Sequence, residues 1–241
     1  LEQRRQEEHC EDEQHAGDQT GELGLLPRRV RGCGARVRTD RGKPAEQTAG
    51  GVRRAQSGEF DVARQKDQVE NFLVRKVDAI VLCPCDSRSI GTSVEAANRA
   101  GIPVFTADIA VLADGAEVVC HTASDNVAGG RLAAQAIVEA IGGAGEVAII
   151  DHPEVESVIQ RVAGFEKTLA QHPEVTIVAK LPGRGTKDAA FRTAEDILQA
   201  HPELDAIFGI NDDSALGAPA AVGKAGKQGQ VAIGGFDPGL E

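Results

Sequence analysis

Four apolar runs in the sequence each end on a single polar residue. Asp108 follows PVFTA, Asp151 follows GEVAII, Asn211 follows DAIFGI and Asp237 follows VAIGGF. In open parallel sheets, ligands bind beyond the carboxyl ends of the strands, where loops and helix N-termini converge. If the runs are parallel strands, these side chains are candidates for ligand binding. The alternative is that each one caps a helix or closes a turn.

The stretch FGINDDSALG (208–217) passes within one peptide bond from an apolar run to four small polar residues. The amide of Asn211 offers both donors and an acceptor to a ligand. Asp212, Asp213 and Ser214 then start a helix, where their oxygens can accept from free backbone amides. The alternative interpretation makes all four residues caps.

Arg161 lies in the middle of a predicted helix, among apolar residues. A buried guanidinium needs a carboxylate or a ligand as its partner, because an unpaired charge is costly away from water. The alternative is a solvated arginine at the margin of the helix. Arg161 is therefore a further candidate for ligand binding.

Enzyme signatures are scarce. PGRGTKD (182–188) lacks the third glycine of a dinucleotide turn, and the sequence has no GxxxxGK[ST] loop, no GxSxG elbow and no pair of histidines at helical spacing. The three histidines that precede a proline are typical of turns and caps: His152, His172 and His201. We therefore predict a protein that is not an enzyme and that uses no cofactor and no metal.

Cys83-Pro-Cys85 has a spacing that matches neither a zinc knuckle nor a CxxC redox pair, which favours plain thiols. One enzymatic alternative stays open. It is a small α/β hydrolase that uses the strand-end carboxylates of Asp108, Asp151 and Asp237 with Mg²⁺.

The charge balance and the apolar pattern exclude two classes of partner. The 241 residues carry a formal net charge of −11, which argues against nucleic acid because phosphate binding needs clustered Lys and Arg. No apolar stretch approaches the roughly 20 residues that cross a bilayer, so we predict no membrane insertion. Small neutral or cationic ligands remain possible.

From Phe60 onward, short Val/Ile runs alternate with amphipathic stretches, the βαβ rhythm of a parallel sheet covered by helices. The predicted strands are 77–82, 102–107, 117–121, 145–151, 175–180, 205–210 and 230–234. The predicted helices are 61–76, one capped by Asp86 or Ser87 and ended by Gly101, 126–141, 155–171, 188–200 and 213–225. About seven strands with intervening helices indicate an α/β protein.

Residues 1–57 differ in composition. They contain no Ile and no Phe, are rich in Arg, and show neither alternation nor a helical stripe. Such a segment has little to bury, so we predict that it is poorly ordered or arose from a rearranged reading of an ancestral segment.

Read in order, ASDNVAGGRLAAQAIVEA, GFEKTLAQHPEV, AHPELDAIFGINDDSALGA and VAIGGFD resemble the type I periplasmic sugar-binding proteins of the ribose-binding kind. The resemblance implies an α/β fold with two doubly wound parallel-sheet lobes that close on a monosaccharide. It also implies an ABC permease as partner and a periplasmic or extracellular location. The first lobe (58–123) is incomplete on this model, and the second lobe takes 124–241.

The resemblance assigns ligand contacts to Asp108 and Arg161. It also assigns them to Asn211 and Asp237, which complete a polar ring around the sugar hydroxyls. Ile109 stands where pentose-binding relatives carry Arg, and Gly185 where they carry a stacking Phe; family members that bind other sugars differ at these positions.

A second functional class shares the fold, the effector-binding core of a lac-repressor-type transcription regulator. Such a regulator needs a basic patch and a helix-turn-helix at its amino end, and residues 1–57 balance acid against base without helical periodicity. These features favour sugar binding over transcription regulation.

Overall fold

A computed structural model describes residues 56–236, in which helices and strands alternate along the chain. In order these are α1 (Val62–Val74), β1 (Ile80–Leu82), α2 (Gly91–Arg99), β2 (Val104–Ala107), β3 (Cys120–Thr122), α3 (Asn126–Ala140), β4 (Gly145–Asp151), α4 (Glu156–Leu169), β5 (Val175–Pro182), α5 (Lys187–Ala200), β6 (Ala206–Gly209), α6 (Asp212–Lys224) and β7 (Ala232–Gly234). All seven predicted strands are present, although five of them are shorter than predicted: the first spans only 80–82, and the third, predicted at 117–121, spans 120–122. The predictions for residues 1–55 and for Asp237 lie outside the described residues.

The strands form two sheets, and every pairing in both is parallel. One sheet has the order β1-β2-β3 and the other the order β5-β4-β6-β7. Parallel neighbours need a crossover connection, and helices supply most of these here. The predicted α/β class with parallel sheets is confirmed.

The four-stranded sheet is covered by helices on both faces. Val147 and Ile149 of β4 pack into a core cluster with α3 and α4, whereas Ala148 and Ile150 pack into a second cluster with α5 and α6. Successive side chains of a strand point to opposite faces, so a strand buried on both sides is a continuous apolar run. This sheet is doubly wound, as predicted.

The three-stranded sheet has described helices on one face only. Ile80 and Leu82 pack with Val69 of α1 and Val94 of α2, while Val81, which points the other way, is 74% exposed. Within residues 56–236 this sheet is thus covered on a single side, as expected for an incomplete first lobe.

Two helix ends carry residues that favour those positions. Asp61 caps α1 by accepting from the Arg64 amide, and Gly101, at φ 72°, ends α2 in the left-handed conformation that glycine adopts without strain. The predicted cap of α2 by Asp86 or Ser87 is wrong.

α2 begins only at Gly91, and Ile90 before it provides no side-chain cap. Asp86 Oδ1 instead accepts from the amides of Arg88 and Ser89, at 2.9 and 2.7 Å. A separate turn therefore precedes α2, and the Asp86 carboxylate belongs to this turn and does not cap the helix.

None of the helices between residues 56 and 236 combines the length and the apolar character that a membrane span needs.

Candidate functional site

Arg161 is a buried arginine on α4. Only 5% of the residue is exposed, so the solvated alternative is excluded. Its Nε donates to Asn126 Oδ1 at 2.8 Å, and its Nη1 donates to the carbonyl oxygen of Ile210, also at 2.8 Å. Asn126 is the first residue of α3 and Ile210 directly follows β6, so a helix that covers the four-stranded sheet and the end of one of its strands hold the guanidinium in place.

The face of the same guanidinium is covered by an aromatic ring. Arg161 Cζ lies 3.7 Å from the centroid of Phe236, which follows β7, a distance typical of a cation–π contact. Hydrogen bonds in the plane and a ring on the face together fix the orientation of the side chain.

Asp108 brings a carboxylate from the three-stranded sheet to this arginine. It follows β2 at φ 64°, a left-handed conformation that aspartate tolerates better than most residues, and its amide donates to Thr122 O at 2.8 Å. Asp108 Oδ1 lies 3.6 Å from Arg161 Nη2. The Asp108 side chain is 49% exposed, so its remaining acceptor positions are open to solvent.

Asn211 is itself the N-cap of α6. Its Oδ1 accepts from the Ser214 amide at 3.0 Å, and its Nδ2 donates to Gly185 O at 3.0 Å. The prediction that Asp212, Asp213 and Ser214 cap this helix is wrong. The cap falls on Asn211 because its backbone is still extended (φ −150°, ψ 178°), whereas helical geometry begins at Asp212.

Asp151 and His152 are buried together where β4 ends. Asp151 Oδ1 accepts from the His152 amide at 2.7 Å, and burial raises the pKa of Asp151. Burial lowers the pKa of His152, although the carboxylates of Glu154 and Asp151 act in the opposite direction. The prediction that this histidine is a turn residue agrees with its carbonyl, which accepts from the Val155 amide at 3.2 Å.

Gly185 lies where Asn211, His152 and Phe60 meet. A Cβ at Gly185 would lie 3.2 Å from His152 Nδ1 and 3.4 Å from both Asn211 Nδ2 and Phe60 Cζ, and its φ is 65°. Phe60 also contacts His152 edge to face, with ring centroids 5.3 Å apart. A larger side chain at Gly185 would be strained, and Phe60 brings an aromatic ring to the same place.

An open cavity of about 420 Å³ runs along β1 on the three-stranded sheet. Val81, Cys83, Phe60 and Asp108 are among its lining residues. Arg161 and Asn211 do not line it. The cavity therefore extends from the site to the outer edge of β1 and does not enclose the site.

The structure brings Asp108 and Arg161 together, and it places Asn211 next to Ile210, whose carbonyl accepts from the arginine. Asp237 lies outside the described residues. Sequence reasoning missed Asn126 as the partner of Arg161. The sequence did contain a signal in SDNVAGG. Asp125 already caps α3, so the side chain of Asn126, the first residue of the helix, is not needed as a cap.

Among residues 56–236, no three His, Cys, Asp or Glu side chains lie close enough together to hold a metal ion. Cys83 and Cys85 are free thiols, and burial raises the pKa of both. A raised pKa leaves less of the thiolate, the nucleophilic form, at neutral pH.

The fold and the site define a type I binding protein of the α/β class. A family model described as a periplasmic binding protein domain matches residues 40–241, and the chain belongs to that family. The ribose import binding protein RbsB of Bacillus subtilis is 35% identical over 178 residues, which are 73% of this chain and 56% of that protein.

Two solved structures show the same likeness. An ABC transporter solute-binding protein from Actinobacillus succinogenes, with bound D-allose, is 35% identical at a TM-score of 0.63. The match covers 73% of this chain and 63% of that protein. A second one, from Agrobacterium vitis with bound D-fucose, is 33% identical at a TM-score of 0.67. This match covers 73% of this chain and 62% of that protein. The chain thus spans less than two thirds of the length of these relatives. All three are named as binding proteins, so the regulator and hydrolase alternatives are not favoured.

Proposed function

We propose that this chain binds a monosaccharide at the carboxyl ends of its two sheets, as the solute receptor of an ABC sugar importer. The observation that carries the proposal is the approach of Arg161, on a helix that packs on the four-stranded sheet, to Asp108, which follows a strand of the three-stranded sheet. The two charges lie 3.6 Å apart, and each is fixed by its own sheet. The relatives reported above, which are named for ribose import or contain bound sugars, support the same ligand class.

The chemistry of the pair suits vicinal hydroxyl groups. A carboxylate accepts two hydrogen bonds from neighbouring hydroxyls, and a guanidinium donates two, each stronger than a bond between neutral groups. Asp108 accepts, Arg161 donates, and the amide of Asn211 has one further hydrogen that can donate to a sugar oxygen. We include Asp237 as a second acceptor, on the ground of its position after the VAIGGF run.

Delivery to a permease and a periplasmic location follow from the same proposal. A receptor whose sheets move together on its ligand presents a different surface when loaded, and a permease can recognise that difference. The predicted lobes (58–123 and 124–241) are the bodies that we propose to move.

Thermal unfolding with and without a panel of aldopentoses and aldohexoses tests the proposal. A sugar present at 100 times its Kd stabilises the folded state by about 2.7 kcal/mol, which raises the midpoint by several degrees. We expect one or a few sugars to produce this shift. A panel in which no sugar moves the midpoint would overturn the proposal.

A matched pair of variants locates the site. Asp108→Asn keeps the shape of the side chain and removes its charge, so the sugar-induced shift should shrink or disappear. Asp114→Asn makes the same change on an exposed residue of the same connection and should leave the shift unaltered.

A further inference from the structure

Ser87 forms a contact between the two sheets that the site residues do not explain. It lies in the connection between β1 and α2 and is 1% exposed. Its Oγ accepts from the Glu156 amide at 2.9 Å, and its own amide donates to Glu154 O at 3.0 Å. Both partners belong to the segment that follows β4, in the other sheet.

The helix that Ser87 reaches lacks a cap of its own. Val155 occupies the N-cap position of α4 without making any side-chain hydrogen bond. A helix leaves its first amides unpaired, and a hydroxyl that accepts from one of them normally comes from the preceding residue of the same segment. Here Ser87 supplies that hydroxyl from the three-stranded sheet, 69 residues away in the chain.

The same residue is tied to the connection that begins at Asp108. The Leu112 amide donates to Ser87 O at 2.7 Å, four residues beyond Asp108. On the other side, Arg161 lies five residues after Glu156 on α4, about 7.5 Å along the helix axis. Ser87 therefore contacts both the segment that carries the carboxylate and the helix that carries the guanidinium.

We infer that Ser87 is a positioning residue of the site: its cross-sheet cap on α4 holds Arg161 against Asp108 and keeps the two sheets together. The consequence for ligand affinity rests on the proposed function. The contact between the sheets does not, and can be measured without a sugar.

Hydrogen exchange of the full chain, measured by NMR without ligand on the parent protein and on Ser87→Ala, tests the inference. We expect the Glu156 amide to exchange about fivefold faster, as the loss of a helix cap implies. The amide of residue 87 should accelerate as well. The substitution leaves its backbone bond to Glu154 intact, so faster exchange there reports separation of the sheets.

Ser89→Ala is the matched control. Its hydroxyl lies two residues further on and, unlike that of Ser87, makes no hydrogen bond to the segment that follows β4, so both exchange rates should stay at the parent value. The inference is overturned if neither rate changes in Ser87→Ala, or if Glu156 alone accelerates, which would indicate a local cap only.

A second readout uses the sugar panel. Any aldopentose or aldohexose that stabilises the parent protein should bind Ser87→Ala about fivefold more weakly and Ser89→Ala equally well. Equal affinity in Ser87→Ala would overturn the positioning role. If no sugar binds the parent protein, the proposed function fails, whereas the exchange rates still decide whether Ser87 joins the two sheets.

Discussion

Arg161 Nη2 and Asp108 Oδ1 lie 3.6 Å apart, although helix α4 packs on the four-stranded sheet and Asp108 follows a strand of the three-stranded sheet. The arginine is buried and the carboxylate is half-exposed. A charge pair of this kind keeps one member rigid and leaves the other accessible to a ligand. The candidate site therefore depends on how the two sheets are arranged.

Removal of the guanidinium should destabilise the fold. Arg161→Ala leaves Asn126 Oδ1 and Ile210 O without their donor in a buried site, and an unsatisfied buried group costs about 1–3 kcal/mol. We expect the free energy of unfolding, measured with urea, to fall by about 2 kcal/mol or more.

The control for this variant is an exposed arginine. Arg99 pairs with Glu95 at 3.5 Å on the surface of α2, and Arg99→Ala should change the free energy of unfolding by less than about 1 kcal/mol. Equal effects of the two substitutions would show that the buried contacts of Arg161 do not stabilise the protein.

Asn211 has a capping role and a proposed ligand role that two substitutions separate. Asn211→Ala removes the acceptor of the Ser214 amide and should cost about 1 kcal/mol of stability, with loss of sugar binding. Asn211→Asp keeps the cap but loses the amide donor, so stability should exceed that of Asn211→Ala while sugar binding stays impaired. Urea unfolding and the sugar-induced thermal shift measure the two effects. Full sugar binding by Asn211→Asp would remove Asn211 from the proposed ligand set.

Two glycines set the close approach of α3 to α4. A Cβ at Gly130 would lie 1.9 Å from Arg161 O, and one at Gly164 would lie 2.1 Å from Val127 O. Gly130→Ala and Gly164→Ala should each destabilise the protein by about 1–3 kcal/mol, because backbone must move to admit the methyl group. Thermal or urea unfolding measures the loss.

Gly223→Ala is the control for the glycine pair. Gly223 also lies in a helix, but its Cβ would meet only the end of the flexible Gln228 side chain, at 2.9 Å. Alanine has a helix propensity about 1 kcal/mol better than glycine, so this variant should be neutral or more stable. A similar loss for all three variants would contradict the close-approach explanation.

Because His152 is buried, we expect the protein to lose stability in mild acid. Burial lowers the pKa of His152, so between that pKa and the ordinary value of about 6.5 the unfolded state binds a proton that the folded state does not. The contribution of His152 is fully present above pH 6.5 and falls as the pH drops below it. His152→Gln should therefore flatten the decrease in urea midpoint between pH 7.5 and pH 5.5.

Asp151 changes the stability in the opposite direction as the pH falls, so the His152→Gln variant is needed to separate the two groups. Burial raises the pKa of Asp151, so its folded state takes up a proton before its unfolded state does, and this contribution rises as the pH falls toward 3.8. The parent profile combines both groups, whereas the difference between the parent and His152→Gln reports the histidine together with its interaction with Asp151. Identical pH dependence in the two proteins would contradict the assignment.

The sequence by itself determined the order of strands and helices and the strand ends at which the candidate site residues lie. The run GEVAIID (145–151) predicts β4 with the bounds that the structure has, because its central residues, 147–150, are all apolar, as expected for a strand that is buried on both faces. Asp108 and Asn211 were predicted at strand ends because a polar residue interrupts an apolar run, a signal that is local in the chain.

Tertiary structure decided the partners. Arg161 bonds to Asn126 and to Ile210, 35 and 49 residues away, and Ser87 bonds to Glu156 at a separation of 69. Local periodicity carries no information about such distances, because they depend on the order of strands in a sheet and on the placement of the two sheets. The buried state of the arginine and the cross-sheet cap on α4 follow from that arrangement alone.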